Sequence, residues 1–132
     1  MTWLELEEEI KKLVSKIQHS PDCVVGIVRG GIIPARLLSK YLNVKSMYCI
    51  SVTKIGDERK VSSEVTDDLS GKKILLVDDM LETGESLISV KSFLEKKGAL
   101  VKTACLYTMP ISKVNPDFSL GEMGKVVKFP WE

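Results

Sequence analysis

Histidine is almost missing from this chain, with one residue in 132, and the three cysteines include no Cys-x-x-Cys pair. Structural zinc is held by closed sets of cysteine and histidine, so these counts exclude such a site. Cys23, Cys49 and Cys105 are widely spaced and odd in number. Each lies in or beside an apolar run, where a thiol serves as a small core residue. That usage predicts reduced thiols and a cytoplasmic protein. Excess charge of either sign is also lacking. Nineteen basic residues face 18 acidic ones, for a formal charge of +1, which gives no long-range attraction to nucleic acid or to an anionic membrane. No apolar run approaches the ~20 residues that span a bilayer. The acidic opening, Met1 to Glu9, does not read as a signal peptide. The P-loop spacing GxxxxGK[ST] is absent, which argues against a nucleoside triphosphatase. Internal repeats, linkers and low-complexity segments are absent as well.

What remains is 44% hydrophobic, enough for a packed core and for one domain over residues 1–132. Trp3, Leu6, Ile10, Leu13, Val14 and Ile17 recur at helical spacing, and Thr2 with Glu5 forms a capping-box pair. A helix over about 3–18 is expected. His19, beside Ser20-Pro21, reads as a solvated residue or a partner for the helix C-terminus. Cys23 to Val28 is a buried-strand run, broken by Arg29-Gly30-Gly31. Pro34 suits a first helical turn, with Ala35, Leu37, Leu38 and Tyr41 on the apolar face. A second strand is expected over 44–52, then a mobile loop or irregular hairpin over 53–68. Further strands fall before Asp78, over 100–107 and over 125–129. A helix over 85–97 ends at Gly98. Strands alternating with helices predict an α/β fold with a mostly parallel sheet.

Residues 74–86 are the most informative stretch. Ile74 to Val77 form a buried strand, Asp78-Asp79 stand at its end, and Thr83-Gly84-Glu85-Ser86 lead into a helix. Ligands of open parallel sheets bind beyond the carboxyl ends of the strands. A small-residue loop entering a helix offers free N–H groups and a positive dipole end to a phosphate. A carboxylate pair next to such a cradle suits a sugar phosphate, whose hydroxyls and anion lie at opposite ends. A receiver domain also carries paired aspartates at a strand end, but early in its fold, whereas only 53 residues follow Asp79 here.

This stretch resembles the binding motif for 5-phosphoribosyl 1-pyrophosphate (PRPP) in type I phosphoribosyltransferases. Three further segments extend the resemblance over nearly the whole chain: Val28 to Pro34, the Cys49-Ile50-Ser51 strand with its loop to Arg59, and Phe129 to Glu132. The similarity is to the short bacterial and archaeal enzymes for 6-oxopurines. It implies a mostly parallel sheet flanked by helices, with a small C-terminal hood. It implies Mg²⁺-dependent phosphoribosyl transfer from PRPP to a nitrogenous base, with release of pyrophosphate. Asp78 and Asp79 would meet the ribose hydroxyls, directly or through Mg²⁺. Glu82, Thr83, Gly84, Glu85 and Ser86 would wrap the 5′-phosphate. Arg29, Gly30 and Gly31 would hold the pyrophosphate, and Arg59 would close over it. Glu82 stands where purine members carry an aspartate that handles a proton of the base.

The acceptor half departs from the resemblance. Met109 replaces a lysine that faces the base, and Val126 replaces an aromatic that stacks on it, leaving the backbone of Val127 to read the base edge. Trp131 is either a base-side residue or a cap on the core. An alternative is therefore a PRPP- or nucleotide-binding regulatory protein that has lost base specificity. The resemblance also implies a homodimer or homotetramer, with the helix face Ile33–Tyr41 as candidate contact.

Overall fold

The computed structural model describes residues 1–18 and 20–132, so the expectation for His19 lies outside the described residues. Helix α1 (Trp3–Lys16) begins at Thr2, whose hydroxyl accepts the Glu5 amide at 3.1 Å. That bond satisfies one of the donors a helix start leaves open. Strand β1 (Cys23–Val28) is followed by α2 (Ile32–Tyr41), with Pro34 in its first turn. Strand β2 (Met47–Ile55) starts and ends about three residues later than the sequence suggests.

Strand β3 (Glu58–Val61) turns back on β2 in an antiparallel register that pairs Lys54 with Arg59 and Ile55 with Glu58. The first half of the polar segment 53–68 is thus a regular hairpin, while 62–68 form no helix or strand, in keeping with the loop expected there. The hairpin's two-residue turn is Gly56-Asp57, where Gly56 supplies a φ of +63°. Strand β4 (Lys73–Val77) and the short β5 (Met80–Leu81) precede α3 (Glu85–Lys96). Gly98, at φ +92°, ends α3 in a Schellman motif, with its amide on Glu95 O and that of Ala99 on Leu94 O.

The strand expected over 100–107 is split into β6 (Leu100–Ala104) and β7 (Tyr107–Thr108). The split follows from a change of partner: β6 pairs with β4, and β7 pairs with β5 in a separate two-stranded sheet. Residues 125–129 form no strand, which corrects the expectation. The backbone there is tied by single bonds, such as Val127 N–H to Met80 Sδ at 3.5 Å.

The main sheet runs β3-β2-β1-β4-β6 and is parallel except for β3. Both faces are covered, so the central strands read as unbroken apolar runs. Period-2 alternation divides them. Val24, Leu75 and Val77 face α1 and α2, while Val25, Ile27, Ile74 and Leu76 face α3. Ile33, Leu37 and Tyr41 pack into the layer shared with α1, and the Tyr41 hydroxyl donates to Glu7. The helix face suggested for a second copy is therefore occupied by α1. β5, β7 and the segment to the C-terminus make a small hood over the carboxyl end of the sheet.

Cys23 and Cys105 are buried, but Cys49 is exposed, contrary to its expected core role. Burial, helped by the charge of Asp78, pushes the Cys105 thiol up to about 12. The nucleophile in thiol chemistry is the thiolate. A disulfide reagent at pH 8 is therefore expected to modify one thiol per native chain, Cys49, and three after unfolding. Rapid modification of Cys105 in the native protein would contradict this packing.

No helix among the described residues is long and apolar enough to cross a membrane.

Candidate active site

The strand order places β2 and β4 on opposite sides of β1. The loops after β1 and β4 consequently diverge and open a crevice, the usual ligand position in an open α/β sheet. Gly30, in the loop after β1, lies directly against Asp79, in the loop after β4. Close approach fixes this juxtaposition. A Cβ on Gly30 would lie 2.6 Å from Asp79 Cγ and 2.8 Å from Asp79 Oδ1. One on Gly31 would meet Val77 O, and Ile27 N and O at 2.8 Å. The Val28–Arg29 peptide is cis.

The main chain at Asp78-Asp79 is gripped by the chain leaving β6. Asp78 N–H donates to Ala104 O at 3.1 Å, and Leu106 N–H donates to Asp79 O at 2.9 Å. The carboxylates are oriented by their own neighbours: Asp79 N–H reaches Asp78 Oδ1 at 2.9 Å, and Met80 N–H reaches Asp79 Oδ1 at 2.6 Å. Among the described residues no lysine or arginine forms an ion pair with either. Burial first, and then the charge of Asp79, hold Asp78 well above the usual carboxylate range. Asp79 is raised chiefly by burial, with a contribution from Glu132 at the C-terminus. Two half-buried carboxylates without a counter-charge form a site that favours a cation.

The cradle follows. Gly84 is the N-cap of α3 at φ +82° and offers no side-chain cap. Thr83 Oγ1 accepts the Glu85 amide weakly, at 3.4 Å, and Ile88 N–H makes the first helical bond, to Gly84 O. The amides of Ser86 and Leu87 are left free among the described residues, so they and the helix dipole point at any anion placed there. The loop after β7 supports the cradle from behind. Lys113 N–H donates to Thr83 O at 2.8 Å, and Lys113 Nζ pairs with Glu85 at 2.8 Å. A Cβ on Gly84 would lie 2.7 Å from Val114 Cγ1 and 2.9 Å from Ser112 Oγ.

A cleft of about 210 Å³ joins Asp78 to the 82–86 loop, with Arg59 as its other wall. Glu82 is exposed at its edge. Most residues singled out for PRPP thus converge on this crevice. The acceptor residues divide. Met109, with its amide on Leu81 O at 2.8 Å, and Val127 pack with Met80 in the hood, while Val126 is 53% exposed and does not join them. Trp131 stacks on Phe129 at 4.7 Å and 3° and leans on Trp3, which makes it a packing residue.

Sequence reading missed Gly26, where a Cβ would stand 2.9 Å from both Ala35 Cβ and Gly31 O. A glycine inside an apolar strand is the available signal for such a close approach. It also missed the Ser112–Val114 support of the cradle, which has no local signature.

A divalent cation here would have two carboxylates, since no cluster of three or more His, Cys, Asp or Glu residues exists among the described residues. That set fits Mg²⁺, which takes one or two carboxylates and completes its shell with substrate oxygens and water.

The family model for the phosphoribosyl transferase domain matches residues 2–132. The chain is 30% identical to the hypoxanthine-guanine phosphoribosyltransferase of Lactococcus lactis, covering 88% of this chain and 69% of the relative. It is 25% identical to the xanthine-guanine phosphoribosyltransferase of Idiomarina loihiensis, covering 100% and 85%. The crystal structure of a purine phosphoribosyltransferase from Pyrococcus horikoshii superposes with a TM-score of 0.93 at 34% identity, covering 100% of this chain and 92% of that one. A carboxylate pair and an uncapped helix start meet at the switch point of a sheet that those relatives share, and the chain belongs to the phosphoribosyl transferase domain family.

Proposed function

We propose that residues 1–132 act as one phosphoribosyltransferase domain that moves the 5-phosphoribosyl group from PRPP to a purine base, with Mg²⁺ and with release of pyrophosphate. The observation that carries this reading is a carboxylate pair, Asp78-Asp79, with no ion-pair partner among the described residues, whose Asp78 shares one cleft with the free N-terminus of α3. One end of that cleft suits a hydroxyl-bearing, cation-bridged ribose. The other suits its 5′-phosphate.

In this reading Asp78 and Asp79 accept hydrogen bonds from the ribose hydroxyls and hold Mg²⁺. Mg²⁺ held there by Asp78 and Asp79 would supply positive charge that stabilises the leaving group. Arg29 donates to the same oxygens, and Gly30 and Gly31 let their backbone approach them. The C1′–O bond breaks with its electron pair going to pyrophosphate, and a ring nitrogen of the base forms the new bond to C1′. Glu82, which lines the cleft and is exposed, takes the proton that the base gives up in this reading. Met109 and the backbone of Val127 line the acceptor side.

The exposed position of Val126 favours a second reading, in which a regulatory protein binds PRPP or a nucleotide without transfer. A second copy of the chain belongs to the first reading as a homodimer or homotetramer. Exposed Trp3 and Leu4 on α1 offer apolar surface for it. Sedimentation as a monomer at micromolar concentration would count against that assembly.

Calorimetric titration with PRPP tests the site. PRPP is expected to bind the wild type, and chelation of Mg²⁺ to weaken that binding by about 10-fold or more. Absence of PRPP binding would refute the transferase reading and leave the second only its nucleotide-binding form.

A further inference from the structure

The first residue of α3 is an acid. Glu85 follows the N-cap Gly84, so its carboxylate is drawn to the same positive helix end that receives the 5′-phosphate in the reading given above. An anion held there competes with an incoming phosphate dianion and repels it. We propose that Lys113 is a positioning residue for the cradle: it holds the Glu85 carboxylate on the outer side of α3 and offsets its charge, which keeps the free amides of Ser86 and Leu87 open to the ligand. This deepens the proposed function and rests on it.

Three observations carry the assignment. First, Lys113 grips the cradle twice. Its Nζ meets Glu85 Oε1 at 2.8 Å, and its backbone amide donates to Thr83 O at 2.8 Å. Second, Glu85 lies between two hollows. It lines the cleft that holds Asp78, Thr83 and Ser86, and it also lines an outer hollow with Lys113, Ile88 and Ser89. Lys113 lines the outer hollow and not the cleft. Its ammonium therefore acts on a bound phosphate through Glu85 rather than by touching it. Third, Lys113 is carried on a segment tied at several points. Met109 N–H donates to Leu81 O at 2.8 Å, Ser112 N–H to Met109 O at 3.0 Å, and Ser112 Oγ to Val114 O at 2.8 Å. Val114 Cγ1 and Ser112 Oγ stand against Gly84, within 2.9 Å of where a Cβ would lie.

The surrounding charges agree with this role. Lys113 acts most strongly on the Glu85 carboxyl, and Arg59 and Lys54 of the β2–β3 hairpin add to it, so that the group is held below its usual range. Asp57 and Glu58 also line the outer hollow, but the ion pair of Lys113 is with Glu85. Lys113 itself is exposed. An exposed ion pair contributes little to folding, so its loss should register in ligand affinity and not in the melting temperature.

A double-mutant cycle separates this role from direct contact. PRPP with Mg²⁺ is titrated calorimetrically into wild type, Lys113→Ala, Lys113→Arg, Glu85→Gln and the Lys113→Ala, Glu85→Gln double variant. Each titration is run at low and at high ionic strength, with melting temperatures measured alongside. Lys113→Ala is expected to weaken PRPP by about 3- to 10-fold at low ionic strength and by less at high, while melting within about 2 °C of wild type. Lys113→Arg should bind within about twofold of wild type, because the charge is kept. The double variant should bind within about twofold of Glu85→Gln alone, because an uncharged residue 85 leaves Lys113 nothing to offset. Equal losses from Lys113→Ala in the wild-type and Glu85→Gln backgrounds would make Lys113 an independent contact and overturn the assignment. So would unchanged PRPP affinity in Lys113→Ala, or a salt-independent loss accompanied by a lower melting temperature. Failure of the wild type to bind PRPP refutes the transferase reading instead, so the two failures are distinguishable.

Discussion

Replacing both Asp78 and Asp79 with asparagine is expected to abolish turnover, by at least about 10³-fold, and to raise the melting temperature of the ligand-free protein. Loss of activity follows because asparagine cannot hold Mg²⁺ or neutralise charge at the reacting sugar, and removing even one such electrostatic contact typically costs 10²–10³. The gain in stability follows from the same carboxylates. Their folded pKa values are raised, by burial first and by mutual repulsion at Asp78. Between the unfolded carboxylate value, about 4, and the raised folded value, the folded state binds more protons than the unfolded state. Stability therefore falls as pH rises through that window. Neutral amides remove the penalty. The double variant is expected to melt about 3 °C or more above wild type at pH 7.5, with the difference vanishing near pH 3.5. Added Mg²⁺ should narrow the gap at pH 7.5 by stabilising only the wild type. A variant that melts lower than wild type at pH 7.5 would show that the carboxylates support the fold.

The second large effect separates two adjacent glycines. Alanine at Gly31 would press its Cβ against Val77 O and, at 2.8 Å, against Ile27 N and O. These atoms belong to the backbone of two central strands, so relief requires the sheet itself to move. Overpacking of this kind costs about 3 kcal/mol, and the melting temperature should fall by about 10 °C. At Gly30 the obstacle is the Asp79 carboxylate, with Cγ at 2.6 Å. A side chain can turn away, so Gly30→Ala is expected to melt within about 3 °C of wild type. Its activity should drop by about 10²-fold, because the displaced group is one of the two carboxylates proposed to meet the ribose. Thermal melts and turnover on both variants check the contrast. Equal loss of stability at both positions would mean that the loop after β1 serves the fold alone.

Local signals account for what the sequence revealed. The Ile74–Val77 run, the paired aspartates and the small-residue entry to α3 are contiguous, so one stretch carries both the strand end and the cradle. Thr2 with Glu5 marked the start of α1, and Gly98 the end of α3. What sequence could not reveal depends on distant partners. The strand over 100–107 divides because its two halves pair with different strands, β4 and β5, which no periodicity in 100–107 encodes. The polar segment 53–68 lacks an apolar face, yet the Gly56-Asp57 turn and docking on α3 order its first half. Arg59 was legible as a cation, but its place on the wall of the cleft depends on the tie to Ser89, thirty residues away. Val126 looked like a base-side residue because of its place before Pro130-Trp131. The stacking of Trp131 on Phe129 instead orients that segment with Val126 in solvent.

The most direct test of the transfer reaction is pyrophosphate release from PRPP and Mg²⁺ with guanine, hypoxanthine, xanthine, adenine, uracil and orotate in parallel, with the Asp78→Asn, Asp79→Asn protein as control. Release with at least one purine, matched by formation of its 5′-nucleotide and lost in the control, is the predicted result. Silence with all six bases, from a protein that still binds PRPP, would contradict the enzyme reading.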